Sequence, residues 1–257
     1  MSSAIWTPAA LSSEARAHAS DCWRLVEAQH RVSTLKLTDT LAEQALLEDL
    51  LDQTKPRLPP EARSLHYLMA APFRYGAAYP RGSRFRRAGR TQGVFYGAEQ
   101  PQTAAAEMAF YRLLFYAESP DTPFSANAAE YTAFNAPVAT DAALDLTRPP
   151  FDRNRAQWTD LLDYAPCQAI ADAARAAAVA IIRYESVRDG ERRANLALLT
   201  PRAFTGREPT RFETWRIRIG AFGAQVIREF PTERIEYGRD AFSADPRLKE
   251  MRWERRG

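Results

Sequence analysis

The spacing of apolar and polar residues changes several times along the chain, and each change predicts an element. From Gln102 to Phe115 the residues are mostly strong helix formers. On a wheel at about 100° per residue, Ala104, Met108, Phe110, Tyr111, Leu114 and Phe115 make one broad apolar arc, and Glu107 falls in its middle. Thr214 to Ile219 alternates with period two, as a half-exposed strand does, and Gly220 and Gly223 turn the chain into Ala224–Arg228. Val179–Tyr184 and Asn195–Leu199 are unbroken apolar runs suited to buried strands. Gly93–Gly97, Tyr131–Phe134 and Ala143–Leu146 predict shorter ones. Leu65–Met69 and Pro72–Tyr75 read as extended, and Gly76–Arg90 as a loop punctuated by Pro80, Gly82, Ser83 and Gly89. Pro166 suits the first turn of an alanine-rich helix reaching about Ala178. Few long crossover helices separate the strands, so the expected class is α+β with a mixed, mostly antiparallel sheet.

The first part reads differently. Ala17, Cys22, Trp23, Leu25, Val26 and Ala28 recur at roughly helical spacing between Ser13 and Val32. Asp39 or Thr40 suits the cap of a second helix carrying Leu41, Ala45, Leu46, Leu50 and Leu51. Lys55-Pro56-Arg57-Leu58-Pro59-Pro60 then makes a short stiff link. The expected organisation is a helical extension over 1–58, a main domain over 59–244 and a polar tail over 245–257 with a frayed end. The link is too short to let the helices roam, so their apolar faces are expected to pack on the main domain.

Composition narrows the function. A chain of 257 residues with 46% hydrophobic content can bury a sizeable core. It has no apolar run of about 18 residues and no basic-then-apolar start, so the expectation is a cytoplasmic protein with no membrane role. Cys22 and Cys167 are far apart and read as small buried hydrophobes. A net charge of +3, with no helix-turn-helix and no interleaved aromatics and basics, argues against direct nucleic-acid binding. A non-catalytic nucleotide- or nucleic-acid-binding module remains the alternative class. Lysine occurs only at Lys36, Lys55 and Lys249; every other basic side chain is arginine, the better bidentate partner for phosphate. No His, Cys or Asp spacing suggests a metal, and no Gly-x-Gly-x-x-Gly follows a strand.

Candidate chemistry centres on Glu107. A carboxylate in an apolar arc is either ion-paired or kept for chemistry. Arg74, Arg84, Tyr96 and Ser186 sit at strand ends or in loops, and singly each reads as a surface arginine, a core-edge aromatic or a turn residue.

Taken in order, these residues resemble the RES domain family, named for its arginine, glutamate and serine. The matching stretches are Arg74-Tyr75, Gly82-Ser83-Arg84-Phe85-Arg86, Tyr96-Gly97-Ala98, Ala104-Ala105-Ala106-Glu107, Tyr184-Glu185-Ser186 and Asn195-Leu196-Ala197-Leu198. The resemblance spans roughly His66 to Asp240. Phe85 and Arg86 stand where tryptophan and asparagine are usual, and Glu185 replaces a common proline. The resemblance implies a fold related to ADP-ribosyltransferases and a toxin that destroys NAD. Its activity would be that of an NAD phosphorylase or NAD glycohydrolase, a glycosyl transferase with phosphate or water as acceptor; the alternative is ADP-ribosyl transfer to a protein. It implies an Xre-like helix-turn-helix antitoxin as partner, and NAD as substrate with no cofactor. Glu107, Arg74, Tyr96 and Ser186 would be catalytic, and Arg74, Tyr75, Arg84, Tyr96, Ser186 and Asn195 would bind NAD. Arg74 and Arg84 suit the pyrophosphate, Tyr96 suits stacking on a ring, and Ser186 either positions nicotinamide or bonds Glu107.

Overall fold

A computed structural model describes residues 6–28, 37–54, 56–74, 82–89 and 91–255. Its centre is a ten-stranded sheet. The strands are β1 (Arg16–Ser20), β2 (Trp23–Glu27), β3 (Phe95–Ala98), β4 (Ala129–Asn135), β5 (Val138–Asp145), β6 (Ile181–Glu185), β7 (Ala194–Leu198), β8 (Arg211–Gly220), β9 (Gly223–Arg228) and β10 (Glu233–Tyr237). Their order across the sheet is β1-β5-β6-β7-β3-β2-β4-β8-β9-β10. The pair β5–β6 is parallel, and the other named pairs are antiparallel. The chain between β5 and β6 carries a helix, as a parallel connection requires. The fold is α+β, as the sequence predicts.

The described helices are α1 (Pro8–Glu14), α2 (Leu41–Thr54), α3 (Tyr67–Ala70), α4 (Pro101–Glu118), α5 (Arg155–Trp158) and α6 (Ala165–Ala176). Helix α4 starts on Pro101, where the missing N–H is harmless, and buries Ala105, Ala109, Phe110 and Leu113 against Trp23, Tyr131, Trp215 and Val226. Helix α6 packs Cys167, Ile170, Ala171 and Ala174 against Leu144, Ile182, Tyr184 and Ala197. A further apolar layer holds Phe95, Phe134, Ile181, Leu196 and Leu198 under the 3-10 turn Ala71–Phe73. Both thiols are free and buried, and burial pushes Cys22 up to about 12.

Several expectations fail, each for a physical reason. Residues 16–27 form strands instead of a helix. Trp23 and Leu25 face inward while Arg24 and Val26 do not, which is period two. The turn between the strands is fixed from far away: Cys22 N–H donates to Asn135 Oδ1 at 3.0 Å, and Asn135 Nδ2 donates to Asp21 Oδ1 at 2.8 Å. Gly97 on β3 then lets β2 approach, because a Cβ there would meet Cys22 Sγ at 2.5 Å and Trp23 O at 3.0 Å. Tertiary pairing overrides helical propensity here. Residues 67–73 are helical, not extended. His66 caps α3 by accepting from Leu68 N–H through Nδ1, and the 3-10 turn follows at once.

Helix α2 is as predicted, and Thr40 is its cap: its hydroxyl accepts from Glu43 N–H while Glu43 Oε2 accepts from Asp39 and Thr40 N–H. Its apolar residues do not pack on the domain as expected, since Leu41, Leu46, Leu50 and Leu51 are exposed. The last stretch is not a solvated tail. Leu248 and Met251 are in the core with Phe110, and Arg255 donates to the carbonyls of Tyr116, Ser119 and Thr122. Strand β10, unpredicted, adds a charged edge to the sheet. Among the described residues no helix is long and apolar enough to cross a membrane.

Candidate active site

The site lies where the end of β6 and the start of β7 meet the first half of α4. Asn195 on β7 pairs with Tyr184 on β6 and with Ala98 on β3. Ser186 follows β6 directly, and its N–H donates to Arg193 O at 2.9 Å, which closes the connection to β7. The next N–H groups, of Arg188 and Asp189, both donate to Ser186 Oγ at 3.2 Å. Ser186 Oγ in turn donates to Glu107 Oε1 at 2.7 Å, and Asn195 Nδ2 donates to the same oxygen at 2.6 Å. Two donors from the β6–β7 hairpin, remote in sequence from α4, therefore converge on one carboxylate oxygen.

Glu107 does not face the core. It is half-buried, and on α4 it continues into Tyr111 and Phe115, which are 55% and 45% exposed. The buried residues of the helix are Thr103, Ala104, Ala105, Ala106, Ala109, Phe110, Leu113, Leu114 and Tyr116, so Ala104, Phe110 and Leu114 of the predicted arc are in the core and Glu107 lies at its edge. The wheel counted Tyr111 and Phe115 as buried because they are apolar, and that put Glu107 mid-arc. The corrected picture is a carboxylate on an open stripe, gripped from one side by neutral donors. Among the described residues its Oε2 makes no hydrogen bond, and no cation pairs with it.

Tyr96 lies in the adjoining wall. Its hydroxyl is 2.8 Å from Ser83 Oγ and accepts from Phe85 N–H at 3.0 Å. This ties β3 to the tight turn in which Ser83 and Arg86 bond each other's backbones. Gly82 opens that turn at φ 68°, where a Cβ would meet Arg86 O at 2.8 Å. Tyr184, fully covered, has its hydroxyl pushed well up by burial, with the charge of Glu107 and then Tyr96 adding to the effect. Glu107, Tyr96, Tyr184 and Ser186 are thus one neighbourhood.

Arg84 is turned inward. Its Nη1 donates to Trp158 O at 2.7 Å, its guanidinium sits 4.7 Å from the Tyr164 ring centroid, and only 8% of the residue is exposed. Arg74 is half-buried at the end of the 3-10 turn, its N–H donating to Ala71 O at 3.1 Å. Tyr75 lies outside the described residues. Two surface cavities, of about 400 Å³ beside His18 and about 220 Å³ beside Phe212, are both away from Glu107.

Sequence reasoning missed the residues that hold Ser186 in place. Asp189 is buried. Its carboxylate accepts from Thr103 Oγ1 at 2.6 Å, from Arg193 Nε at 2.6 Å and from Glu191 N–H at 3.0 Å. Arg188, also buried, donates to Asp245 Oδ2 at 2.6 Å. The one signal in the sequence was the density of charge in Arg188-Asp189-Gly190-Glu191-Arg192-Arg193, which reads as a solvated loop.

The RES domain family model matches residues 55–219. Among solved structures, a chain of the M. tuberculosis MbcT–MbcA toxin–antitoxin complex is similar at 15% sequence identity and a TM-score of 0.43, over 79% of this chain and 90% of that one. No curated protein matches.

Proposed function

The chain belongs to the RES domain family, and from that premise we propose that it is the toxin of a toxin–antitoxin pair and breaks the nicotinamide–ribose bond of NAD. One observation carries the reading. The Oε1 of Glu107 is held by two neutral donors, Ser186 and Asn195, and among the described residues its second oxygen makes no hydrogen bond and no cation pairs with it.

Breaking the bond from ribosyl C1′ to nicotinamide nitrogen sends the electron pair out with nicotinamide. The ribose is left with positive charge spread over C1′ and its ring oxygen, as in glycoside cleavage. A fixed carboxylate beside that carbon stabilises the developing cation without having to reorganise. Ser186 and Asn195 hold Oε1, so Oε2 is free to face the ribose. An oxygen of phosphate or water then bonds C1′. Phosphate gives ADP-ribosyl phosphate; water gives ADP-ribose and releases a proton. Tyr96 lines the same wall and offers its ring to a base. Arg74 and Tyr75 complete the NAD site in this reading, and the substrate brings no separate cofactor. The exposed rings of Tyr111 and Phe115 beside Glu107 are the surface that an Xre-like antitoxin would cover.

The test is incubation of purified, antitoxin-free protein with NAD, with and without phosphate, followed by product identification. Nicotinamide release is expected, with the second product set by the acceptor. No nicotinamide under any condition sinks the enzymatic reading.

A further inference from the structure

Ser186 Oγ receives N–H groups from Arg188 and Asp189 on one side and donates to Glu107 on the other. A hydroxyl has one proton to give. With its lone pairs occupied by the turn, that proton is aimed at Glu107 only while residues 186–189 keep their shape.

Besides its bonds to Arg193 just before β7, this turn is tied to α4 and to the C-terminal segment. The first tie is the bond from Thr103 to Asp189; Thr103 stands one helical turn before Glu107 on α4. The second comes from the far end of the chain. Arg188 lies flat over Phe110, 3.5 Å from the ring centroid, and is clamped there by the Asp245 carboxylate. Asp245 is wholly buried. Its carboxylate also accepts from the N–H and side chain of Arg247, and its own N–H donates to Phe242 O. Leu248 and Met251 anchor the segment in the core beside Phe110. Asp245 lies beyond residue 219, where the family match ends. A buried ion pair is a weak device for stability compared with apolar packing, but it fixes orientation.

We propose that Asp245 is a positioning residue for the Glu107–Ser186 pair, acting through Arg188, so that the C-terminal segment is an integral part of the active site. This rests on the reading of Glu107 and Ser186 given above. Among the described residues the segment makes no hydrogen bond to either of them; it holds the turn from which Ser186 reaches Glu107.

The test is Asp245→Asn in the full-length protein, alone and combined with Ser186→Ala. Expected are a fall in kcat of about 10-fold or more with KM for NAD held within about 2-fold, and no further fall in the Ser186→Ala background. An equal fall in both backgrounds overturns the proposal, because Asp245 would then act independently of Ser186. So does unchanged kcat in a folded variant. If Asp245→Asn does not fold, Arg188→Met with Asp245→Leu removes both members of the buried pair, leaves only the partly exposed Arg247 without its carboxylate, and is read in the same way. Amide hydrogen exchange gives a reading that needs no activity. The N–H groups of Arg188 and Asp189 should lose protection in the variant while β6 and β7 keep theirs, and unchanged protection at both overturns the proposal. Should the unaltered protein release no nicotinamide, the functional reading fails while the exchange result still decides the positioning role.

Discussion

Glu99 and Glu107 are close in sequence, and both are partly covered, yet their surroundings are opposite. Glu99 accepts from Arg183 Nε at 2.7 Å and Nη2 at 3.0 Å, with His18 Nε2 at 3.7 Å. Arg183 also donates to Asp145 and Thr147, so this corner is a closed ionic network. Among the described residues Glu107 has two neutral donors on one oxygen and no cation paired with it. In the first corner the charge is cancelled where it stands, and the gain is cohesion between β5, β6 and the start of α4. In the second the charge is oriented but not cancelled, so its field remains available to whatever cation forms nearby. The two carboxylates are alike in being partly covered and differ in their partners, charged at Glu99 and neutral at Glu107.

The largest expected effect is a contrast between two identical substitutions. Glu107→Gln should lower nicotinamide release by about 10²-fold or more, as for loss of an electrostatic stabiliser, with little change in thermal midpoint. Glu99→Gln should do the reverse, keeping activity while reducing stability by about 1–3 kcal/mol as Arg183 loses a charged acceptor. The comparison breaks if the two variants change activity and stability alike.

A smaller effect is expected at Arg84, whose guanidinium is spent on Trp158 O and the Tyr164 ring. Arg84→Met should weaken turnover of NAD and of nicotinamide riboside by similar factors, because the wall behind Tyr96 loosens. Nicotinamide riboside lacks the pyrophosphate, so a loss confined to NAD would instead make Arg84 a phosphate contact.

The smallest effect, and the one that separates the two corners by pH alone, is in stability. His18 is held below its ordinary value by burial, against the opposing charge of Glu99. A histidine depressed in the folded state contributes stability above its unfolded pKa of roughly 6.5, and that contribution fades as pH falls below it. Burial by itself would raise Asp189 and Asp245. Hydrogen bonds from Arg193 and Thr103 at the first, and from Arg247 at the second with the charge of Arg188 behind it, hold both below the usual range. Their contribution is whole above roughly pH 4 and is lost as pH falls through their folded values. Thermal midpoints across pH 8 to 3 should show a shallow decline below about 6.5 and a steeper one below about 4. A single step would mean that the corners do not titrate separately.

Much of this was readable in the chain. Helix α4, the buried strands β6 and β7 and the alternating β8 follow from period and propensity alone. Glu107 and Ser186 stood out by residue type and place, Asn195 only through the family resemblance, and the structure brings all three into contact. What was hidden depends on partners remote in sequence. Strand β2 exists because Asn135 and Gly97 receive it, and no local pattern around Trp23 says so. Asp245 sits in a polar-looking stretch, and only Arg188, far upstream, explains why it is buried. The wheel misplaced Glu107 because hydrophobicity does not reveal whether Tyr111 and Phe115 face inward.

The strand order has a consequence for how the molecule comes into being. Strand β2 is made early but sits between β3 and β4, and β3 in turn leans on β7. These pairings close long loops, which slows folding relative to locally connected topologies. The middle of the sheet cannot assemble on the ribosome until residue 198 has emerged, and the clamp on Arg188 waits for Asp245. A partly synthesised chain therefore lacks the complete arrangement around Glu107 and Ser186, which is finished only when the last segment of the chain has been made.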